Sequence, residues 1–151
     1  MSTDPQPSHY TDYDTRLAAY AVIVDAGRVL LALWNEGERR RWTLPGGGVE
    51  LHETPEEGCV REVLEESGYV VELAGLLGVE TDVIPSDGRT RETDRPLKAV
   101  RIFYSARILG GELRPEVGGT TDEARWFPLD RVPDLERVSM VDTGLGFVGR
   151  E

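Results

Sequence analysis

The 151-residue sequence predicts an α/β (α+β) fold, with a mixed β-sheet around one strong helix. Two observations lead to this fold class. Short apolar runs rich in β-branched residues recur along the chain, and one segment, 55–67, has helical periodicity with a start and a stop signal. The length fits one domain and leaves no room for a second of ordinary size.

The charge balance excludes one class of partner. Lys and Arg number 17 against 28 Asp and Glu, so the net charge is −11 at pH 7. Such a surface repels a polyanion, and binding to a nucleic acid polymer is not expected. A small phosphorylated ligand stays compatible with it when cations bridge the ligand to the acidic groups. The single cysteine, Cys59, excludes an intramolecular disulfide and suits a reducing compartment.

The first 14 residues are polar, contain two prolines and predict a flexible N-terminal tail before a domain at 15–151. They lack the basic and apolar segments of a signal peptide. No apolar run approaches the roughly 20 residues that a transmembrane helix needs. The sequence therefore predicts a cytoplasmic protein without a membrane partner.

Most other segments are assigned from alternation, turn residues and helix breakers. Asp25-Ala26-Gly27-Arg28 predicts a hairpin turn between two apolar runs, and residues 35–41 predict a charged connection. The remaining expected elements are strands at 42–45, 69–80, 98–108, 111–117 and 124–127, a polar loop at 85–96, a helical turn at 128–135 and a weak helix at 139–147.

The helix at 55–67 has signals at both ends. Thr54 is expected to cap it, with Pro55 at its first position and Glu57 completing a capping box. Gly68 is expected to end it in the left-handed conformation. On a helical wheel of about 100° per residue, one arc is apolar and should face the core; it holds Cys59, Val60, Val63 and Leu64.

Three glutamates, Glu62, Glu65 and Glu66, occupy the neighbouring arc of this helix. Arg61 points elsewhere and is expected to reach back toward Glu53. Like charges one turn apart repel, by roughly 0.2–0.5 kcal/mol per exposed pair, so the arc needs a counter-charge. Oxygen donors that converge beside a core suit a hard divalent cation such as Mg²⁺ or Mn²⁺. The alternative is that the glutamate face is simply solvated.

The residues around the helix favour the metal interpretation. The stretch GGVELHETPEEGCVREVLEESGY, residues 47–69, resembles the signature of the Nudix hydrolase family, G-x5-E-x7-R-E-U-x-E-E-x-G-U, where U is bulky and apolar. Tyr69 departs mildly at the last U, because it is aromatic where an aliphatic residue is usual. Every fixed letter of the signature is matched, by Gly47, Glu53, Arg61, Glu62, Glu65, Glu66 and Gly68.

The resemblance implies an α/β/α sandwich with a mixed sheet. It also implies Mg²⁺-dependent hydrolysis of a nucleoside diphosphate linked to another group, with Mn²⁺ able to substitute. Arg61 would pair with Glu53 and hold the signature loop on the helix, which places both residues and Glu62 in the catalytic group. The metal ligands that the resemblance implies are Glu62, Glu65, Glu66 and the carbonyl of Gly46.

Members of the family differ in where they place the general base. Glu123 is the favoured candidate here, and the alternatives are Glu116, Asp122 and a glutamate of the signature. A solvated loop acid is an equally good interpretation of Glu123.

The substrate is less well determined. Arg40, Arg41 and Arg91 are candidates for contacts to substrate phosphate, with a solvated surface as the alternative. Pro85 follows Tyr69 by 16 residues (85 − 69), near a proline of ADP-ribose-cleaving relatives, and favours a nucleotide sugar such as ADP-ribose. Two alternatives stay open: a hydrolase that removes modified nucleoside triphosphates, and a metal-dependent nucleotide sensor without turnover. Dimers are common in the family, which implies a homodimer as one assembly.

Overall fold

The computed structural model of the chain describes residues 9–36, 39–114 and 121–149, without the side chains of Glu36, Thr121 and Asp122. Strands and helices fill most of these ranges. Their bounds are β1 Asp14–Val22, β2 Val24–Asp25, β3 Arg28–Glu36, β4 Arg39–Thr43, β5 Gly46–Gly48, α1 Pro55–Ser67, β6 Tyr69–Ile84, β7 Leu97–Gly111, β8 Thr121–Pro128 and α2 Ser139–Val148, with 3₁₀ turns at Ser86–Gly88 and Leu129–Asp134.

The strands form two sheets, and one of them is mixed as predicted. In the first sheet the order is β5-β1-β7-β6, with β1 and β7 parallel and the other pairs antiparallel. In the second sheet β3 pairs antiparallel with β2, β4 and β8. Strand β1 therefore lies between segments that are distant in the sequence.

The predicted hairpin turn is confirmed. Ala26 and Gly27 both have positive φ, 51° and 75°, as a two-residue turn of the hairpin type requires. The turn joins only the short β2 to β3, however, and most of the first apolar run lies in β1, which pairs with β5 and β7. The two apolar runs thus contribute to different sheets.

Alternation along β1 divides the core into two halves. Ala18, Tyr20 and Val22 pack in a cluster that includes Val141 of α2. Their neighbours Ala19, Ala21 and Ile23 pack in a second cluster that includes Cys59 and Val63 of α1. Because successive side chains of a strand point to opposite faces, the two helices cover opposite sides of β1. This arrangement confirms the predicted α/β/α layering.

Helix α1 begins and ends at the predicted residues. The hydroxyl of Thr54 accepts a hydrogen bond from the Glu57 N–H, the Glu57 carboxylate accepts one from the Thr54 N–H, and Gly68 has φ 86°. The predicted core arc is wrong at Leu64, which is 36% exposed. Leu64 lies about 140° from Cys59 on the wheel, whereas Glu66 lies about 20° from Cys59. Glu66 consequently takes the place in the core that Leu64 was expected to fill.

Several other segments differ from expectation. Residues 39–41, predicted as part of a charged connection, belong to β4, because they pair with the end of β3. In the predicted strand 111–117, only Gly111 is in a strand, residues 112–114 are not, and 115–117 lie outside the described residues. Asp14, which the sequence placed in the tail, is the first residue of β1, and residues 1–8 lie outside the described ranges.

The strands at 69–80, 98–108 and 124–127, the helical turn and the C-terminal helix are confirmed, most of them longer than expected. Neither α-helix in the described part of the chain has the length and apolar character that crossing a bilayer requires.

Candidate active site around the signature helix

The glycine turn before α1 lies directly against the acidic face of that helix. Gly46 has φ 146°, and a Cβ there would fall 2.3 Å from the carbonyl oxygen of Ala19, so only glycine fits between β5 and β1. The Gly46 N–H donates a hydrogen bond of 3.2 Å to Oε2 of Glu66. A Cβ on Gly47 would lie 2.9 Å from Cδ of Glu62. The glycines thus leave room for two carboxylates beside the backbone.

Arg61 is the cation at the centre of the signature. Its Nε and Nη2 donate to the two carboxylate oxygens of Glu53 at 2.6 and 2.9 Å, and Nη2 also donates to the Gly48 carbonyl at 3.1 Å. Its Nη1 donates to Glu62 at 2.9 Å and to Glu65 at 3.2 Å. The prediction that Arg61 pairs with Glu53 is confirmed, but the prediction that it points away from the glutamate arc is wrong. A long, flexible side chain is not limited to the direction of its Cβ on the wheel.

These contacts change the acidity of the groups involved. Hydrogen bonds from Arg61, and a further one from the Glu50 N–H, lower the pKa of Glu53 from 4.5 to about 2. The same carboxylate raises the pKa of the Arg61 guanidinium above its usual range. Both groups are therefore charged across the whole physiological pH range.

The three glutamates of the arc have different surroundings. Glu66 is only 7% exposed, within the core that Cys59 and Val63 share. The side chain of Glu62 is 20% exposed, and that of Glu65 is 48% exposed. Burial therefore decreases from Glu66 through Glu62 to Glu65.

Glu62 and Glu66 line one cavity of about 610 Å³. This volume lies in the range of small-molecule sites, roughly 300–1,000 Å³. The cavity also exposes cations and an aromatic ring. Its other lining residues include Arg16, Tyr20, Trp34, Thr43, Gly46, Gly47, Gly48, Thr90, Arg101 and Met140.

Comparison with known proteins shows which family shares this fold and this signature helix. The model of the NUDIX domain matches residues 14–142, which is most of the chain. The chain belongs to the Nudix hydrolase family.

The chain is also similar in sequence to relatives of known name. The chain is 35% identical over 94 residues to an ADP-ribose pyrophosphatase of Methanocaldococcus jannaschii, covering 62% of this chain and 50% of that one. It is 38% identical over 124 residues to a putative 8-oxo-dGTP diphosphatase of Bacillus subtilis, covering 79% of this chain and 74% of that one. The chain spans about half the length of several curated relatives that it matches.

A solved structure agrees with the sequence relatives. The MutT NUDIX hydrolase of Burkholderia pseudomallei superposes with a TM-score of 0.74 at 30% identity, over 89% of this chain and 98% of the other. The Nudix fold expected from the signature is thereby confirmed.

The predicted metal ligands are only partly gathered in this structure. Within the described residues, no group of three acidic, histidine or cysteine side chains is arranged to hold a metal ion. Two of the predicted ligands, Glu62 and Glu65, instead accept hydrogen bonds from Nη1 of Arg61. The donor chemistry itself fits Mg²⁺, because Glu62 and Glu66 present carboxylate oxygens to the same cavity.

The other predicted site residues lie farther from this cavity. Glu123 is on β8 with its carboxylate 3.1 Å from Arg125, and it does not line the cavity. Arg40 and Arg41 are on β4 and do not line it either, although Arg41 lies over the ring of Trp34, which does. Glu116 lies outside the described residues, as does the side chain of Asp122.

Sequence reasoning missed three residues that line the cavity: Arg16, Trp34 and Arg101. Arg101 donates to Glu80 at 3.3 Å and to Asp82 at 2.6 Å, so its charge is largely neutralised. No local signal marks any of the three, since each belongs to an ordinary strand. Only the pairing of strands brings them beside the signature.

Proposed function

We propose that this Nudix family member is a Mg²⁺-dependent hydrolase that cleaves the pyrophosphate bond of a nucleoside diphosphate linked to another group, with a nucleotide sugar such as ADP-ribose favoured. The observation that carries this proposal is that Glu62 and Glu66 line one cavity together with the glycine turn of the signature. The name of the archaeal relative, an ADP-ribose pyrophosphatase, supports the substrate class.

The charge around Arg61 supports a further cation. Four carboxylates lie within 4.0 Å of this one guanidinium, those of Glu50, Glu53, Glu62 and Glu65. Glu66, which is nearly buried, lies on the same helix as Glu62 and Glu65. One positive charge cannot neutralise this group, and bringing a pyrophosphate into it would add more repulsion. A divalent cation would neutralise part of the carboxylate charge and reduce the repulsion of the pyrophosphate.

Glu62, Glu65 and Glu66 would hold Mg²⁺ or Mn²⁺, together with the carbonyl of Gly46. When bound, the ion lowers the pKa of a coordinated water and neutralises charge on the phosphates. Glu62 and Glu65 would exchange their bonds to Arg61 for the metal. Arg61 would keep its two bonds to Glu53 and its bond to the Gly48 carbonyl, and so hold the glycine turn in place.

Other residues of the cavity would bind the rest of the substrate. Trp34, which lines the cavity, would provide an aromatic ring on which a base can stack. Arg16 would offer its guanidinium group to phosphate oxygens. Glu123 is the proposed general base. This role requires its carboxylate to break its contact with Arg125.

The experiment that tests the proposal is a substrate panel with ADP-ribose, other nucleotide sugars and modified nucleoside triphosphates, followed by phosphate or nucleotide release. We expect hydrolysis in the presence of Mg²⁺, none in excess EDTA, and recovery with Mg²⁺ or Mn²⁺. Binding of Mn²⁺, followed by electron paramagnetic resonance, should weaken when Glu66 is replaced by Gln. Full activity in excess chelator would contradict the metal-dependent mechanism.

A second candidate has an observation in its favour. The putative 8-oxo-dGTP diphosphatase of Bacillus subtilis is 38% identical and is covered over 74% of its length. The same panel distinguishes a hydrolase of modified nucleoside triphosphates from a nucleotide-sugar hydrolase. The former should have a higher kcat/KM for 8-oxo-dGTP than for ADP-ribose. A nucleotide sensor would bind members of the panel without releasing product.

Two further parts of the proposal concern location and assembly. The single cysteine supports a reducing compartment such as the cytoplasm. A homodimer is proposed from the family, and light scattering of the purified protein measures it.

A further inference from the structure

A second cavity, of about 820 Å³, adjoins the one that holds Glu62 and Glu66. It is lined by the start of β1, the end of β6 and the loop that follows the 3₁₀ turn at Ser86–Gly88. The two cavities share part of their walls, so a ligand in the first can extend into the second. The shared residues are Arg16, Gly48, Ile84 and Thr90.

The lining of the second cavity is more positive than that of the first, which contains two arginines and two glutamates. Its lining contains three arginines, Arg16, Arg89 and Arg91, against a single acidic residue, Asp14. These four side chains carry a net charge of +2 (3 − 1), in a chain whose net charge is −11. Asp87 and Glu92 of the same loop do not line the second cavity, although they line a neighbouring groove together with Arg89 and Arg91.

Asp14 fixes the arginines of the loop but cannot neutralise them. Its carboxylate accepts from Arg89 at 2.7 Å and from Arg95 at 2.9 Å, and Arg91 lies 3.7 Å away. The Arg89 side chain is only 10% exposed, whereas that of Arg91 is 69% exposed. One carboxylate among three guanidinium groups leaves an excess of positive charge on the side of the cavity.

Arg16 adds a fourth guanidinium, at the boundary between the two cavities. Within the described residues it takes part in no ion pair or hydrogen bond of its side chain. A guanidinium that forms no ion pair with any described residue, at the boundary with a positive cavity, is typical of a site for an anionic ligand.

We infer that the second cavity binds a phosphate group of the substrate that lies beyond the pyrophosphate bond to be cleaved. The inference rests on the proposed function, since it takes the carboxylate cavity as the place of cleavage. It extends the proposed substrates to a nucleoside diphosphate whose second group carries a further phosphate, or to a nucleoside triphosphate with its terminal phosphate in the second cavity. A neutral sugar gives these arginines no charged partner.

Binding of a fragment tests the inference without any hydrolysis. Ribose 5-phosphate is titrated into the full-length protein in EDTA and followed by ¹⁵N NMR, with ribose in a parallel titration. We expect saturable shifts at residues 13–17 and 88–91 for the phosphate, and none for ribose. Shifts that are equal for the two sugars, or that occur elsewhere, would overturn the inference.

Two variants and a matched control locate the site. Arg16→Gln and Arg91→Gln should each weaken ribose 5-phosphate binding about 10-fold, because each removes a charge-assisted contact. The control is Arg131→Gln, since Arg131 is 72% exposed, lies 4.0 Å from one carboxylate and lines neither cavity. Equal weakening in the control would mean that only net charge matters, and the cavity would not be the site.

Kinetics then distinguish the two sources of phosphate. If the site binds a phosphate on the second group, Arg91→Gln should raise KM about 10-fold for ADP-ribose with an added 1″-phosphate. If the site binds a terminal phosphate, the same variant should raise KM about 10-fold for dGTP. For ADP-ribose, which has no phosphate beyond the bond to be cleaved, the rise in KM should be smaller. If KM in Arg91→Gln is unchanged for all three substrates, the inference is overturned but the proposed hydrolase function is not. If the wild-type protein hydrolyses none of them, the proposed function is contradicted, whereas the result of the fragment titration still holds.

Discussion

Arg61 holds Glu53 by a two-bonded fork, with Nε donating to Oε2 at 2.6 Å and Nη2 donating to Oε1 at 2.9 Å. The same guanidinium reaches the Gly48 carbonyl at 3.1 Å. One side chain therefore connects α1, the loop before it and the glycine turn. The side chains of Arg61 and Glu53 are only 26% and 18% exposed, so water screens their pairing less than it screens a surface pair.

Replacing Arg61 by Lys should weaken the fold locally. An ammonium group keeps the charge but cannot form the fork to Glu53 and the bond to Gly48 together. We expect Arg61→Lys to lower the free energy of unfolding by about 1–2 kcal/mol, measured by urea denaturation in EDTA. Arg107→Lys is the control, since Arg107 and its partner Glu72 are 71% and 48% exposed. A loss as large in the control would contradict a special role for the Arg61 fork.

Replacing Glu66 by Gln should abolish most of the activity. The amide keeps an oxygen that can accept from the Gly46 N–H but removes one negative charge from the proposed metal site. We expect kcat/KM to fall about 100-fold or more, with thermal unfolding little changed. Glu72→Gln makes the same change in charge on an exposed residue of β6 and should leave kcat/KM within about 2-fold. Equal losses in both variants would mean that the net charge, and not the position of Glu66, sets the activity.

The stability of the metal-free protein should decrease in acid through Glu53. Its pKa is about 2 in the folded chain and 4.5 ordinarily, so the folded state favours the charged carboxylate. The corresponding stability is fully present above pH 4.5 and is lost as the pH falls toward 2. Urea unfolding of wild type and Glu53→Gln between pH 7 and pH 3 measures this. The difference between the two proteins should shrink with decreasing pH, and a constant difference would contradict the assignment.

Cys59 should resist thiol reagents in the folded protein. The residue is 0% exposed, and burial, together with the nearby charges of Glu66, Glu56 and Glu62, raises the pKa of its thiol to about 12. At pH 8 the reactive thiolate is therefore scarce as well as inaccessible. Labelling with iodoacetamide, followed by mass spectrometry, should be slow in buffer and fast in denaturant. Labelling at the rate of a free cysteine in buffer would contradict the placement of α1 against the sheet.

Glu123 should affect catalysis only if its carboxylate can leave Arg125, which lies 3.1 Å away. If Glu123 is the general base, Glu123→Gln should lower kcat by about 10²–10⁴-fold and remove the rise of rate with pH. Mn²⁺ binding should stay unchanged in this variant. A variant that keeps the wild-type rate and pH profile would remove Glu123 from the mechanism and leave the family assignment intact.

Much of α1 and its motif could be predicted from the sequence because the forces that shape them are local. The capping box of Thr54 and Glu57 and the left-handed Gly68 depend on residues three or four positions apart. The hairpin at Ala26-Gly27 likewise depends on two adjacent residues. For the same reason the signature, which lies within 23 consecutive residues (69 − 47 + 1), was sufficient to indicate the family.

The tertiary structure decided what local forces leave undetermined. Packing against the sheet set the rotation of α1, which buries Glu66 and exposes Leu64. The fork to Glu53 set the direction of the Arg61 side chain, which has several rotatable bonds and no fixed direction of its own. The pairing of β1 with β5 and β7 brought Arg16 to the boundary of two cavities whose walls come from positions 13 to 140. Contacts between residues so far apart depend on which strands pair, and a single sequence carries no local record of that choice.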